Sequence, residues 1–163
     1  MSHLFAHMGV RVIIMDDQNR LLLVKHTVEA ENTSFWILPG GGLEEHEYSW
    51  DAAVREVKEE TNIDIDVIDL IYTLEEQTKY GLRCTHYFLG KYKQGDIVLG
   101  QDPEFDQDNQ VLSDVRYFSQ SEISNLDRVY PEILKDKFWE DIRDYKCHYK
   151  VWHKRPSKGF GQP

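Results

Sequence analysis

Short hydrophobic runs alternate with turn-forming residues in the first quarter of the chain. Runs rich in valine, isoleucine and leucine predict strands over 10–15 and 21–24, with the polar stretch 16–19 as the turn between them. A third strand is predicted over 34–38, where a proline and three glycines end it. Because proline lacks an N–H donor and glycine allows positive φ, a loop is expected at 39–42.

The pattern changes to a helical period over 47–61. Apolar residues there recur at the spacing of one helical face: Trp50, Ala53, Val54, Val57 and Thr61. Asn62 follows the last of them, and asparagine is second only to glycine as a left-handed helix cap. We therefore predict a helix that is capped by Asn62 and turns a stripe centred on Trp50 and Val57 towards the core.

Further strands and one more helix are predicted downstream. Alternating patterns predict strands over 63–72 and 82–92, joined by a hairpin turn, and a short strand over 111–118. Proline is favoured in the first turn of a helix, so Pro131 is predicted to open a helix over 132–145. Strands on both sides of a central helix, followed by a terminal helix, predict an α/β fold with a mixed β-sheet between helices.

Length and charge narrow the class of protein. The chain has 163 residues, which suits a single domain over 1–163 whose basic end, 146–163, either frays or covers part of a partner in a homodimer. A net charge of −10 argues against nucleic-acid binding, but not against a small phosphorylated substrate held through metal ions. No run reaches the roughly 20 apolar residues of a membrane helix, and two cysteines make no disulfide framework, so a cytoplasmic location is expected.

Three glutamates of the predicted helix, Glu56, Glu59 and Glu60, fall at i, i+3 and i+4, within an arc of about 100°. Like charges at this spacing repel, so the cluster favours a cation among them. Mg²⁺ takes oxygen ligands, keeps positions for water or substrate phosphate, and can polarise a phosphoryl oxygen. The glycine loop 40–42 brings backbone close to this face, where a carbonyl can bind metal and N–H groups can bind phosphate.

A Glu-rich helix face is by itself more often a solvated face, and a glycine loop alone is equally unspecific. The distinguishing feature is one string at fixed spacing: Gly41, five residues, Glu47, seven residues, Arg55, Glu56, two residues, Glu59, Glu60, one residue, Asn62 and Ile63. That string resembles the Nudix box, the signature of the Nudix hydrolase family, and 36–42 resembles the family's usual approach to it. The chain departs from the family at Asn62, where the family has glycine, and at Tyr48, where it has a small hydroxyl residue. Ser49 or Glu47 is expected to compensate at the helix start.

The resemblance implies an α/β/α sandwich and hydrolysis of a nucleoside diphosphate linked to another moiety, with Mg²⁺ or Mn²⁺. By position, Glu56 and Glu60 match the family's principal metal ligands. Glu59 matches a residue that is a ligand or a base in different members. Gly40 matches a position whose carbonyl often reaches a metal.

Arg55 and Glu47 match the family's supporting ion pair. Arg55 can reach Glu59 one turn on or bridge back to Glu47, which would hold the loop against the helix. The resemblance thus makes Arg55 and Glu47, with Glu56 and Glu59, the candidate catalytic group.

Weaker candidates for substrate binding lie outside the helix. Lys25, beside His26 after the second predicted strand, can reach substrate phosphates, although a solvated strand end is the more common role. Trp36 is a candidate for stacking on a base, with core packing as the alternative, and Gly41 is a candidate for phosphate contact. An acidic loop offers either a general base or ordinary surface: Glu104, Asp106 and Asp108.

The leading hypothesis is a pyrophosphohydrolase that acts on ADP-ribose, a nucleotide sugar or a similar compound. Within the family, the alternative is a pyrophosphatase for oxidised or non-standard nucleoside triphosphates. From another class, a non-catalytic nucleotide sensor would share the fold, but it is expected to lose the box carboxylates that this chain keeps. The predicted partner is a small-molecule nucleotide, without nucleic acid or membrane.

Overall fold

The computed structural model describes residues 6–100, 110–145 and 150–152. The elements in chain order are β1 Ala6–Ile14, β2 Leu21–Val28, β3 Thr33–Ile37, α1 Ser49–Thr61, β4 Asp64–Thr78, β5 Gly81–Gln94, β6 Gln110–Phe118, α2 Gln120–Ser124, β7 Val129–Tyr130, α3 Phe138–Arg143 and β8 Lys150–Trp152. Short 3-10 turns lie at Glu29–Glu31 and Glu132–Lys135. No helix in these ranges has the length and apolar character that a membrane crossing needs.

The strands form two four-stranded sheets, each with parallel and antiparallel pairs. One sheet has the order β1-β5-β4-β8, and the other has the order β6-β2-β3-β7. In the first sheet β1 runs parallel to β5, which places Arg11 beside Tyr87. In the second sheet β2 lies between β3 and β6, and a bulge falls between Lys25 and His26. The predicted α/β class with mixed strand directions is confirmed.

Helices cover both faces of the strands. Ala53 and Val57 of α1 pack in a buried cluster with Val12 and Ile14 of β1. Because side chains alternate along a strand, Ile13 faces the other way, into a second cluster. That cluster receives its helical residues from the C-terminal third of the chain: Ile123, Leu134, Phe138 and Trp139. The layers therefore follow α/β/α order.

The strands are longer than the sequence predicted. The turn lies at Lys79 and Tyr80, within the predicted hairpin turn, but β4 continues past its predicted end at Tyr72 to Thr78 because cross-strand pairing with β5 continues through its polar residues. Strand β2 continues to Val28, so Lys25 and His26 lie inside a strand rather than after one. This correction decides which way those two side chains point.

The helix predicted over 132–145 is wrong as a single element. The segment forms the 3-10 turn Glu132–Lys135 and then the short helix α3. Asp136 separates them, because its φ of −139° and ψ of −101° lie outside the helical region. The indole N–H of Trp139 donates to the Leu134 carbonyl at 2.8 Å and ties the two pieces together.

Helix α1 turns a different stripe to the core than the apolar pattern predicted. Trp50 is 46% exposed and Val54 is 38% exposed, so the prediction is wrong for these two, whereas Ala53, Val57 and Thr61 are buried as expected. The buried face is formed by Ala52, Ala53, Glu56, Val57, Glu60 and Thr61. Two glutamates belong to that face, and a pattern that scores only apolar residues cannot include them.

The two ends of α1 differ in how well the prediction describes them. At the start, Tyr48 is the N-cap and makes no side-chain capping hydrogen bond. The compensation expected from Ser49 or Glu47 is therefore not formed: Ser49 is the first helical residue, and Glu47 accepts from the Glu44 amide instead. At the other end, Asn62 has a φ of 63°, which confirms the left-handed cap.

Candidate active site

The glycine loop lies directly against the buried carboxylates of α1. The Gly40 N–H donates to Glu60 Oε2 at 2.8 Å. At Gly41, a Cβ would lie 2.6 Å from Glu56 Oε1, closer than real Cβ contacts, so only glycine leaves room for that carboxylate. Both glutamate side chains are 0% exposed. The sequence prediction that loop and helix face meet at these residues agrees with this geometry.

Arg55 forms hydrogen bonds with three carboxylates and with the glycine loop. Its guanidinium donates two hydrogen bonds to Glu47, at 2.8 and 2.9 Å, in the bidentate arrangement that suits a carboxylate. It also donates to Glu56 Oε1 at 2.9 Å and to Glu59 Oε2 at 3.0 Å. A further bond to the Gly42 carbonyl, at 3.0 Å, fastens the loop to the helix. Arg55 thus reaches both partners that the sequence offered it.

The electrostatics of this pair keep both groups ionised. The hydrogen bonds with Glu47 outweigh burial and raise the pKa of Arg55 above its ordinary value. In return, the hydrogen bond from Arg55 lowers the pKa of Glu47 below its ordinary value. A charged Arg55–Glu47 pair therefore holds the loop over the pH range in which proteins are stable.

His26 lies on the other side of Glu60. Its side chain is 1% exposed, and Nε2 is 3.7 Å from Glu60 Oε1. The imidazole stacks on Phe35 of β3 with ring centroids 5.3 Å apart. The sequence analysis gave a role to Lys25 and none to His26. Because β2 extends to Val28, both residues lie inside the strand and their side chains point to opposite faces of the sheet. That alternation is the signal that could have identified His26.

The donor atoms on this face are of the kind that a divalent cation prefers, but the side chains do not converge on one point in this structure. Within the described ranges, no three acidic, histidine or cysteine side chains converge so as to hold a metal ion. The reason is visible in the contacts: Glu56 and Glu59 turn to Arg55, while Glu60 turns to the Gly40 N–H. The donors present are nevertheless carboxylate and carbonyl oxygens, which hard cations prefer. Two buried carboxylates one helical turn apart also favour a doubly charged counter-ion.

Two of the weaker sequence candidates, Lys25 and Trp36, lie beside each other. Lys25 Nζ lies 5.8 Å from the centre of the Trp36 ring. Trp36 is 6% exposed and packs edge-to-face on Phe118, while Arg116 lies 4.9 Å from its ring centre. Trp36 therefore has the environment of a core residue, which is the alternative given with the stacking prediction.

The acidic loop candidates Glu104, Asp106 and Asp108 lie outside the described residues. The described chain stops before them at Gly100, whose N–H donates to the Glu60 carbonyl at 2.9 Å. A Cβ on Gly100 would overlap the Glu59 carbonyl at 1.6 Å, so this contact requires glycine. The last described residue before the acidic candidates therefore lies beside the last turn of α1.

A family comparison agrees with the resemblance found in the sequence. The sequence model of the family described as NUDIX domain matches residues 6–137. An RNA pyrophosphohydrolase of Erythrobacter litoralis is 24% identical over 114 residues, which cover 58% of this chain and 70% of that protein. An 8-oxo-dGTP diphosphatase of Proteus vulgaris is 32% identical over 62 residues, which cover 38% of this chain and 55% of that protein. The second match thus spans about half of that relative's length.

Solved structures share the fold. The MutT protein of Methanosarcina mazei Go1 superposes with a TM-score of 0.68, covering 90% of this chain and 100% of that chain. Its sequence is only 19% identical, so the likeness concerns architecture. It supports the α/β/α sandwich.

Proposed function

Since this chain belongs to the NUDIX domain family and is a Nudix hydrolase, we propose that it is a metal-dependent pyrophosphohydrolase for a nucleoside diphosphate linked to another moiety. ADP-ribose and nucleotide sugars are the proposed substrate classes, and Mg²⁺ or Mn²⁺ is the proposed metal. The cytoplasmic location and the homodimer stay predictions from the sequence.

One observation carries the proposal: Glu56 and Glu60 are completely buried, one turn apart, on the face that meets the glycine loop. A solvated acidic face would leave both side chains in water. Burial of two carboxylates is costly, and the single positive charge of Arg55 at Glu56 is shared with Glu47 and Glu59. A divalent cation adds positive charge at this face and is what this family uses, so Glu56 and Glu60 are the proposed ligands. The Gly40 carbonyl, which accepts from Arg11, is the third candidate ligand through its second lone pair.

The chain's own groups divide the remaining tasks. Arg55 orients Glu56 and Glu59 through hydrogen bonds of 2.9 and 3.0 Å and holds the loop through Gly42. Glu59 is 29% exposed, in contrast to its two buried neighbours, so it is the carboxylate that can meet an attacking water. The metal, when bound, polarises a phosphoryl oxygen and lowers the pKa of bound water.

A nucleoside triphosphate pyrophosphatase is the second candidate. The observation that favours it is the similarity to an 8-oxo-dGTP diphosphatase, at 32% identity over 62 residues. Both candidates require the same carboxylates and differ in the group beyond the second phosphate. A substrate panel therefore separates them.

The experiment measures release of phosphate, pyrophosphate and nucleoside monophosphate from ADP-ribose, nucleotide sugars and oxidised deoxynucleoside triphosphates, with and without Mg²⁺ or Mn²⁺. We expect metal-dependent turnover that Glu60→Gln reduces at least about a hundredfold, since a metal ligand is lost. The matched control is Asp51→Asn, which makes the same chemical change on the exposed side of α1 and should keep wild-type rates.

Two results contradict the proposal. Turnover that is equally fast after removal of divalent metal would exclude metal dependence. Tight nucleotide binding without turnover in either metal would favour the non-catalytic sensor instead.

A further inference from the structure

Arg11 lies in the middle of β1 between Val10 and Val12, which are both completely buried. Because side chains alternate along a strand, Arg11 projects from the face opposite to these valines. Its Nη1 donates hydrogen bonds to the carbonyl of Leu38, at 3.0 Å, and to the carbonyl of Gly40. Arg11 therefore binds both ends of the short segment that leads from β3 into the glycine loop.

Gly40 connects Arg11 to Glu60. The carbonyl of Gly40 accepts from Arg11, and its N–H donates to Glu60 Oε2 at 2.8 Å. Gly40 has a φ of +141°, and a Cβ there would lie 2.1 Å from the Val10 carbonyl oxygen, so no other residue can take this conformation. The hydrogen bond from Arg11 to the Gly40 carbonyl therefore helps to fix the position of the Gly40 N–H, which binds Glu60.

The neighbours of Gly40 are held differently. The Val12 N–H donates to the Pro39 carbonyl at 2.8 Å, and the Val10 N–H donates to the Gly41 carbonyl at 2.9 Å. These main-chain bonds fix the loop to β1 on either side of Gly40. At Gly40 itself, the contacts come from two side chains that belong to a distant strand and a helix.

We propose that Arg11 is a positioning residue, which sets the Glu60 carboxylate for the divalent cation by holding Gly40. The inference deepens the proposed function and rests on it. Arg11 acts through the loop, since its hydrogen bonds go to two carbonyl oxygens. Both bonds come from Nη1, whose two N–H directions are fixed by the planar guanidinium, whereas a lysine ammonium rotates freely on a flexible stem.

A competing interpretation predicts the opposite effect of removing Arg11 on the affinity for the cation. The resemblance made the Gly40 carbonyl a metal-ligand candidate, and a guanidinium at that oxygen repels a cation. If Arg11 competes for this oxygen, removing it tightens cation binding. If Arg11 positions Glu60, removing it weakens cation binding.

Titration calorimetry with Mn²⁺ alone, and then with nucleotide, separates these cases in the full chain. We expect Arg11→Met to weaken Mn²⁺ affinity about tenfold or more, the range found for residues that orient metal ligands. Arg11→Lys should weaken it less. Arg143→Met, which removes the same charge from the exposed side of α3, should bind as the wild type does. In turnover assays kcat should fall more than KM changes.

Melting curves without metal show whether each variant is folded. A folded Arg11→Met protein with unchanged or tighter Mn²⁺ binding overturns the inference and leaves the proposed function intact. If that variant does not fold, Arg11→Lys decides, and wild-type affinity in it overturns the inference. If the wild type takes up no Mn²⁺ even with nucleotide present, both the inference and the proposed function fail.

Discussion

The α-carbon of Gly41 faces the carboxylate of Glu56 with no room for a methyl group: a Cβ there would lie 2.6 Å from Oε1 and 2.8 Å from Oε2. The constraint is one of space, because Gly41 is not among the residues with positive φ. A glycine is thus required at this point of the loop by a helix side chain that comes fifteen residues later in the chain.

Gly41→Ala should therefore damage catalysis more than folding. The added methyl group displaces the Glu56 carboxylate, and a misplacement of about 1 Å in an active site can cost about a hundredfold in rate. We expect such a loss in kcat, measured on the best substrate of the panel, with a melting temperature within a few degrees of the wild type.

Gly9→Ala is the matched control, since a Cβ on Gly9 meets its nearest atom, the Gly41 carbonyl oxygen, at an ordinary 3.4 Å. It should keep most of the activity. Full activity in Gly41→Ala would show that the rate does not depend on where the Glu56 carboxylate lies.

Asn62 stands where the family has glycine, and the stability of the protein should depend on which residue is at this position. At a φ of 63° the left-handed conformation costs an alanine about 1–2 kcal/mol, while asparagine tolerates it. The Asn62 side chain also donates to the Asp96 carbonyl at 3.1 Å. Asn62→Ala should lower the free energy of unfolding by about 1 kcal/mol in urea denaturation. Asn62→Gly should be near neutral, because the easier backbone offsets the lost hydrogen bond; equal stability of the alanine and asparagine proteins would refute this account.

Asp16 should make stability depend on pH at the turn between β1 and β2. Burial, which raises the pKa of Asp16, is outweighed by hydrogen bonds from the main chain and side chain of Arg20 and from the Gln18 amide, so the pKa lies below its ordinary value. A carboxyl with a lowered folded-state pKa stabilises the fold above its unfolded pKa. That stabilisation is lost as the pH falls through the folded pKa.

Asp16→Asn should accordingly cost about 1 kcal/mol at pH 7, a modest value because the ion pair is partly exposed. The difference from the wild type, followed by urea denaturation between pH 7 and pH 2.5, should shrink below about pH 4. Asp17→Asn, at an exposed neighbouring position, is the control and should show little effect at any pH. A difference that is constant with pH would mean that the Asp16 charge is not its source.

Much of the candidate site was accessible from the sequence because its geometry is local. The helical period places Glu56, Glu59 and Glu60 on adjacent turns whatever the rest of the chain does. Arg55 reaches Glu59 at i+4 for the same reason, and Asn62 ends the helix through its own backbone preference. The string that contains them was specific enough to indicate the family, which the match over 6–137 confirms.

Other expectations failed where packing overrides local pattern. Trp50 and Val54 fit a helical stripe with Val57, yet the sheets cover an arc that includes Glu56 and Glu60 instead. Apolar periodicity cannot show that glutamates are buried, because their burial depends on groups supplied by other elements. The break at Asp136 within the last predicted helix lies between two short pieces that both contribute to one buried cluster with strand residues, through Leu134 and Phe138.

By itself, the sequence determined the spacing of the acidic helix, the glycine loop before it and the cap after it, because each depends on neighbours within about one or two helical turns. Only the tertiary structure brought Arg11 of β1 and His26 of β2 to opposite ends of the Gly40–Glu60 contact. Those approaches depend on strand register and sheet packing. Arg11 is 29 positions from Gly40 and His26 is 34 positions from Glu60, and no local preference acts over such separations in the chain.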